Sequence, residues 1–370
     1  MRKKGKALKI IILLTILIIA GVFFINNRNK PKLEIKVWNN IYNENNINMY
    51  YGEKKDAKVK ALDNVYKANE LVSTEDGEVN KVLKVIDIVN TVVEFDDVSD
   101  SKGINAFDIL QEKAKLKKVS QRDMAIITRD LLLTIDIKSR VGKFEKVKKG
   151  SDEEASYYVV EYWSNENSKW VMIDFRNRGY IEKDGIPCSS IEIMTKLDKS
   201  MVYKGTTKSK EYIKDLKKVL DTYTINIDNS IEMKKSNSYI TYIKDKGNIN
   251  IKLNNSYIPP TIFTENEELF KKDPMDTKIG VDEKEYIILM KKENNKEDSE
   301  VKSENYIVGG FKDGKIMNKY YIRENNGEFK EVEKYYELQL VNGTNIIELS
   351  IDGANIISSI EIEYVEGKRK

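Results

Sequence analysis

The sequence predicts an α+β protein with an N-terminal transmembrane helix, helices packed on an antiparallel sheet, and a β-sandwich in its C-terminal part. Three observations support this fold class. Residues 10–25 are almost wholly apolar, hydrophobic residues recur at helical spacing between positions 57 and 134, and period-two alternation follows from position 138. Helices first and strands afterwards, joined by short links, are typical of α+β domains.

The composition narrows the chemistry that is open to this chain. Its 370 residues include 63 Lys and Arg against 60 Asp and Glu, so the formal net charge is +3 and no nucleic-acid partner is expected. There is no histidine and a single cysteine, Cys188. These counts exclude His-dependent triads, His-ligated zinc, cysteine metal clusters and an intrachain disulfide. We therefore expect no metal and no cofactor.

The N-terminal segment predicts a membrane anchor. Basic residues within positions 2–9 precede the apolar run, and a basic flank on one side of a single span favours a cytoplasmic N-terminus. We assign residues 1–9 to a cytoplasmic tip and 10–27 to a single-pass signal-anchor in the cell membrane, with the bulk of the chain extracellular. The alternative is a secretory signal cleaved near Ala20 or Gly21, which the large apolar residues that follow disfavour.

Local patterns assign the elements that follow. Residues 28–56 are polar and rich in asparagine, which indicates a stalk with a short strand at 33–38. Ser120 and Asp123 have the spacing of a capping box, with Asp in place of Glu. Helices are predicted at 57–72, 78–93, 106–114, 120–134 and 208–223. Strands are predicted at 138–145, 157–164 and 169–174.

These elements divide the extracellular part into three regions, which are an α+β domain at 57–200, a helix plus β extension at 201–275, and a β-sandwich at 276–370. The sandwich is predicted because Asn-Gly and Asp-Gly pairs between alternating strands are strong hairpin signals. Such pairs occur at Asp313-Gly314, Asn326-Gly327, Asn342-Gly343 and Asp352-Gly353. This part resembles the Ig-like modules of bacterial surface proteins.

Three ordered stretches carry a further resemblance. Residues 121–125 open a helix, 157–163 lie on a strand, and 169–174 lie on the next. This set resembles the transglutaminase-like (papain-like) superfamily in its bacterial membrane-anchored form, over roughly residues 60–200. The resemblance implies a Cys at a helix N-terminus, a His on a following strand and an Asp on the strand after, because the helix end lowers the thiol pKa and the His takes its proton.

This chain departs from that pattern at two of the three positions. Gln121 stands where the family has Cys, Tyr157 stands where it has His, and only Asp174 keeps the family's residue type. A carboxamide cannot attack an acyl group, and a neutral tyrosine is a poor base at pH 7. The resemblance therefore implies the fold without the activity, and the three positions become candidates for a binding cleft in a pseudoenzyme.

The predicted function is a non-catalytic binding or scaffolding role at the cell envelope, with the membrane, an envelope polysaccharide or another surface protein as partner. One alternative is a carboxylate-based hydrolase or transferase on cell-wall glycan that uses Asp123, Glu161 and Asp174. It requires a pair of carboxylates on one face of the sheet, and strand alternation leaves the relative faces of Glu161 and Asp174 open. A third interpretation is a structural component whose cleft is filled. Arg140 and Glu161 are separately candidates for a structural ion pair or for a binding role, and the sequence leaves both open.

Overall fold

The computed structural model describes residues 32–39, 41–42, 45–146, 156–244, 261–276, 284–291, 305–312 and 315–366. The predicted tip at 1–9 and signal-anchor at 10–27 lie outside the described residues. Within the part that is described, no helix combines the length and the apolar character needed to cross a membrane. The described residues form the mixed helix-and-sheet structure that the sequence predicts.

The helices match the predicted stretches with three differences, one of which is a helix at Ser190–Lys196 that the sequence did not predict. The stretch predicted as one helix at 57–72 is broken at Lys67, whose left-handed backbone (φ 53°) ends one helix and precedes the next. The predicted helix at 208–223 ends early, because Tyr223 belongs to a strand. The described α-helices are α1 (Ala57–Tyr66), α2 (Ala68–Leu71), α3 (Glu78–Val92), α4 (Ala106–Glu112), α5 (Gln121–Thr134), α6 (Ser190–Lys196) and α7 (Ser209–Leu216), and 3₁₀ turns lie at Lys217–Val219 and Glu267–Phe270.

The strands up to Thr264 are interspersed with the helices along the chain, and the strands from Glu285 onward follow one another without an intervening described helix. In chain order they are β1 (Lys32–Trp38), β2 (Tyr50–Tyr51), β3 (Glu94–Phe95), β4 (Lys118–Val119), β5 (Ser139–Glu145), β6 (Ser156–Ser164), β7 (Lys169–Ile173), β8 (Tyr180–Lys183), β9 (Ile186–Pro187), β10 (Met201–Lys204), β11 (Thr222–Asn226), β12 (Asp228–Asn229), β13 (Tyr239–Ile243), β14 (Thr261–Thr264), β15 (Glu285–Lys291), β16 (Asn305–Lys312), β17 (Lys315–Ile316), β18 (Tyr320–Glu324), β19 (Lys330–Val332), β20 (Tyr335–Gln339), β21 (Gly343–Ser350) and β22 (Ser358–Val365).

A six-stranded sheet of order β14-β13-β11-β5-β6-β7 organises the helical half of the molecule. Every neighbouring pair in it is antiparallel except β13 with β14. The sheet corrects the predicted boundary at residue 200, because β11, β13 and β14 continue the same sheet that β5–β7 begin. Residues 57–200 and 201–275 are therefore one structural unit rather than a domain with an extension.

The two faces of this sheet pack into two different hydrophobic cores, because side chains on a strand alternate between faces. Val160 and Ile173 lie in a helix-side core with residues of α3 and α5. Val159 and Met172 lie in a far-side core with residues of α6, α7 and β11. Each residue of β6 and β7 can thus be assigned to a face.

The C-terminal half is a β-sandwich of two antiparallel sheets. One sheet has the order β1-β22-β21-β18-β19, and the other joins β15, β16 and β17, with β20 on β16. Residues of both sheets, such as Leu289 and Val308 from one and Ile347 and Ile362 from the other, share one buried core. A sandwich in this region confirms the prediction, whereas its Ig-like character remains a prediction.

The first described strand corrects the predicted stalk at 28–56. β1 is an edge strand of the sandwich, paired antiparallel with β22 from Lys32 opposite Val365 to Trp38 opposite Ile360. The register shifts between Ile35 and Val37, and such a bulge lets residues three apart point inward together. Ile35 and Trp38 are accordingly both 1 % exposed.

The turn signals have mixed outcomes. Asn326-Gly327 does mark the hairpin between β18 and β19, where Asn325 and Asn326 adopt φ of 48° and 59°. Asp352-Gly353 marks the hairpin between β21 and β22. Asn342-Gly343 was wrong as a hairpin signal, because it joins β20 in one sheet to β21 in the other. Asp313-Gly314 lies outside the described residues.

Candidate functional site

Two of the three positions predicted from the sequence, Tyr157 and Asp174, meet beside β6 of the six-stranded sheet, and the third, Gln121, lies on the helix side of that strand. Gln121 is the first residue of α5, Tyr157 is the second residue of β6, and Asp174 directly follows β7. α5 begins at Gln121 because Ser120 caps it, its hydroxyl accepting the backbone N–H of Asp123 at 3.2 Å. The antiparallel pairing of β6 with β7 brings Tyr157 next to Asp174.

Asp174 is bonded entirely within the protein. One carboxylate oxygen accepts the backbone N–H groups of Arg176 at 2.9 Å and Asn177 at 3.1 Å. The other accepts the Tyr157 hydroxyl and, at 2.9 Å, the Asn177 side-chain amide. The residue is 0 % exposed. With two donors on each oxygen, this carboxylate holds the turn after β7 and has little capacity left for another group.

Tyr157 acts as a hydrogen-bond donor in this cluster. It is half-buried, and its hydroxyl donates to Asp174 while accepting the Asn177 amide at 2.9 Å. Burial first, and the Asp174 charge second, raise the pKa of Tyr157 well above its ordinary value, while the positive charge of Arg176 opposes the shift. The phenol therefore stays protonated at neutral pH and cannot serve as a general base there.

Gln121 is not joined to the other two positions. Its side-chain oxygen accepts the backbone N–H of Tyr158 at 3.4 Å, and among the described residues no hydrogen bond links its side chain to Tyr157 or Asp174. Tyr158 packs on the helix-side core, whereas Tyr157 packs on the far-side core. The structure thus brings together two of the three predicted residues and leaves the third on the helix side.

Two arginines follow Asp174, and they have different surroundings. Arg178 forms a two-point contact with Asp87, including Nη2 to Oδ2 at 2.8 Å. The guanidinium carbon of Arg176 instead lies 4.1 Å from the centroid of the Tyr157 ring and 5.3 Å from that of Phe95. No ion pair joins Asp174 and Arg176 among the described contacts, because Asp174 accepts only the backbone N–H of Arg176.

Sequence reasoning did not identify Arg176 as a functional candidate. Phe95, which contacts Arg176, lies in the short strand β3. This strand pairs with β4, just before α5, and the two strands are more than twenty residues apart in the sequence, so no local pattern reveals the contact. The one available signal was an arginine two residues after the aspartate of the motif.

Glu161 forms a second buried carboxylate cluster on the same face of the sheet as Asp174. It pairs with Met172 across the strands, two residues before Asp174, so alternation places both acids on the far-side face. Its oxygens accept Arg140 at 2.7 and 2.8 Å, the Tyr223 hydroxyl at 2.8 Å and the Ser190 N–H at 2.7 Å. Of the two roles left open for Arg140 and Glu161, the structure shows the ion pair, and both residues are 0 % exposed.

Asp123, the third acid considered for catalysis, is also buried. Its carboxylate accepts the Ser101 backbone N–H at 2.8 Å, the Ser101 hydroxyl at 3.1 Å and Arg122 at 3.1 Å. Burial raises its pKa despite these contacts. The predicted capping box is half formed, because this side chain turns to Ser101 instead of returning to the backbone of Ser120.

Cys188 lies between β9 and α6 and is 4 % exposed. Burial raises the pKa of its thiol to about 11, and the nearby Glu192 charge adds to the shift. A thiol with this pKa is almost fully protonated at neutral pH and is a weak nucleophile. Within the described part of the chain, no three Cys, Asp or Glu side chains group in a way that could hold a metal ion.

No family model matches the chain, and no curated protein matches it. Among solved structures, a candidate cysteine protease from Cytophaga hutchinsonii is similar at 20 % identity and a TM-score of 0.25, over 32 % of this chain and 37 % of that one. Red sea bream transglutaminase is similar at 11 % identity and a TM-score of 0.30, over 88 % of this chain and 63 % of that one.

The chain thus spans less than two thirds of the length of either solved structure. Identities of 20 % or less and TM-scores below 0.5 are too low for either similarity to carry an inference. The α+β fold and the site therefore rest on the elements and contacts described above, in which Tyr157 and Asp174 meet and Gln121 stands apart.

Proposed function

We propose that this chain is a non-catalytic, membrane-anchored protein with a transglutaminase-like domain and an Ig-like module, and that it binds or scaffolds other components of the cell envelope. The observation that carries the proposal is the hydrogen bonding of the Asp174 carboxylate. Its two oxygens receive four internal donors, one of them from a tyrosine that occupies the position of the base. Such a carboxylate orients a turn rather than a catalytic imidazole.

The carboxylate-based hydrolase receives less support. Glu161 and Asp174 do share a face of the sheet, which is the arrangement that such an enzyme needs. Both acids are nevertheless 0 % exposed, and every oxygen of each accepts an internal donor. A substrate would have to displace these bonds before either carboxylate could donate or accept a proton.

The position of β1 supports a specific placement at the membrane. Residues 28–31 separate the proposed anchor from Lys32, the first residue of β1, and four residues reach at most about 14 Å. The end of the sandwich that contains Lys32 and Val365 would therefore lie next to the bilayer. Two exposed apolar residues, Val341 and Val365, lie at this end.

Binding to the envelope is tested with the full chain in detergent. Immobilised protein is incubated with fractionated envelope glycans and membrane extracts, beside a Tyr157→Ala variant and an Arg178→Gln variant whose folding is checked by circular dichroism. We expect the wild type and Arg178→Gln to retain a ligand and Tyr157→Ala to lose it. Failure of the wild type to retain any fraction would contradict the binding role.

The absence of thiol catalysis is tested through Cys188. Alkylation by iodoacetamide should be slow in the native protein, with a rate that rises toward a midpoint near pH 11. Unfolding in urea should restore the ordinary thiol midpoint of roughly 8.5. A fast native reaction at pH 7 would indicate an activated thiol and contradict the non-catalytic proposal.

A further inference from the structure

The side chain of Arg176 is held in place, yet its charge has no opposite partner among the described residues. Its guanidinium lies over the Tyr157 ring at 4.1 Å and over the Phe95 ring at 5.3 Å. The residue is half-buried, and its ε N–H is buried without a hydrogen-bond acceptor in the described part of the chain. Arg178, two residues away, instead donates two hydrogen bonds to the Asp87 carboxylate, from Nε and from Nη2.

A guanidinium in this state favours an anionic ligand. Contacts with two aromatic rings hold the guanidinium in place without neutralising its charge, and a positive charge without an opposite partner attracts an anion. Its buried ε N–H has no acceptor in the described part of the chain, so the hydrogen-bonding capacity of this arginine is not used up within the protein. The fixed fork matches the two oxygens of a carboxylate or a phosphate.

The surroundings are compatible with such a ligand. The site lies beside the N-terminus of α5, because Phe95 pairs with Val119 two residues before that helix begins, and the helix dipole favours negative charge there. Two acids adjoin the site and oppose an anion. Asp96 is neutralised by Lys118 at 2.7 Å, and Asp174 is surrounded by its own four donors.

We propose that Arg176, in contact with the rings of Tyr157 and Phe95, is the ligand-binding group of this site and that it binds an oxyanion, either a carboxylate or a phosphate, carried by an envelope polymer. The inference rests on the proposed binding function and names the ligand class for the same site. It replaces Gln121 with Arg176 as the residue that contacts the ligand.

The test uses the full chain in detergent micelles with ¹⁵N-labelled arginine. The Nε–H signals of Arg176 and Arg178 are assigned from their loss in Arg176→Gln and Arg178→Gln. Inorganic phosphate and glucuronate are titrated separately against sodium chloride at matched ionic strength. The two ligands distinguish a phosphate-bearing polymer from a uronate-bearing one, and Arg178 is the matched control.

We expect a saturable shift of the Arg176 signal with one or both oxyanions, and none with chloride. The Arg178 signal should stay in place, and Arg178→Gln should leave the Arg176 titration unchanged. Binding to these variants is measured from the rise in melting temperature that the ligand causes. Arg176→Lys should weaken binding by about tenfold, because lysine keeps the charge and lacks the two-pronged guanidinium. Phe95→Ala should weaken binding by at least about fivefold through loss of one stacking face.

Three results would overturn the inference. The first is the absence of a saturable shift at Arg176 while the glycan fractions are still retained, which would leave the binding function intact and move the ligand elsewhere. The second is an equal response at Arg178. The third concerns Asp152, Glu153 and Glu154, which precede β6 in the sequence and lie outside the described residues. A response that appears only in an Asp152→Asn/Glu153→Gln/Glu154→Gln variant would mean that the charge of Arg176 already has a partner in this chain.

Discussion

Glu161 and Asp174 are two carboxylates on one face of one sheet, both 0 % exposed, and they are stabilised in different ways. Glu161 is neutralised by a buried arginine, with Arg140 atoms at 2.7 and 2.8 Å. Asp174 is held by two backbone N–H groups, a phenol and an amide, none of which carries charge. The first cluster joins β5, β6, α6 and β11, whereas the second holds the single turn after β7.

The difference shows that a residue chosen from a sequence motif need not have the most extensive contacts in the fold. Asp174 occupies one of the three motif positions, and its contacts are those of a turn. Glu161 is not one of those three positions, yet its cluster joins four elements of the fold. The presence or absence of a charged partner also predicts how much stability a mutation removes at each cluster. Removing one member of a buried ion pair leaves the other charge uncompensated.

The largest effect is expected at Arg140. Arg140→Met leaves Glu161 buried without its cation and should lower the free energy of unfolding by about 3–5 kcal/mol. The guanidinium lies 4.1 Å from the Trp170 ring centroid, so tryptophan fluorescence reports the transition in urea. The double variant Arg140→Met/Glu161→Leu removes both charges and should recover most of the loss. Equal stability of the single and double variants would contradict a buried ion pair.

A smaller effect is expected at Asp174. In Asp174→Asn, an NH₂ group replaces one oxygen and faces two donors whichever way the amide turns, which should cost about 1–3 kcal/mol in urea unfolding. Tyr157→Phe removes a single donor and should cost about 1 kcal/mol. If Asp174→Asn were as destabilising as Arg140→Met, the contrast between charged and neutral partners would fail.

Glu192 is a carboxylate at the protein surface against which both buried acids can be compared. Its side chain is 30 % exposed, contacts Lys169 at 2.5 Å and completes a capping box with Ser189 at the start of α6. Burial alone would raise its pKa, but the bonds from Lys169 and Ser189 outweigh burial and lower it. Glu192→Gln should cost about 0.5–1 kcal/mol at pH 7.

The acid dependence of that difference follows from the lowered pKa. The unfolded state binds a proton more readily than the folded state, so the contribution of Glu192 is fully present above an ordinary carboxyl pKa of about 4.3 and is lost as the pH falls through the folded value. The difference in urea unfolding between the wild type and Glu192→Gln should therefore shrink as the pH falls below about 4.3. If the difference in unfolding free energy between the two proteins stayed constant with pH, the lowered pKa of Glu192 could not be its cause.

Local patterns determined much of the secondary structure of this protein. The helices at Glu78–Val92 and Gln121–Thr134 and the strands at Ser139–Glu145 and Ser156–Ser164 agree with prediction to within a residue or two. Hydrophobic periodicity is a property of neighbouring residues, so it is visible in the sequence. The residue types at the three motif positions, and with them the lack of a thiol or an imidazole there, are likewise read directly from the chain.

Only the tertiary structure decided which elements meet. The edge position of β1 depends on pairing with residues more than 320 positions away, and the stack of Arg176 on Phe95 joins segments that no local pattern connects. Asp123 turns to Ser101 rather than to its own helix cap for the same reason. Burial and long-range hydrogen bonds assign the role of each polar residue, because they depend on contacts between distant parts of the chain.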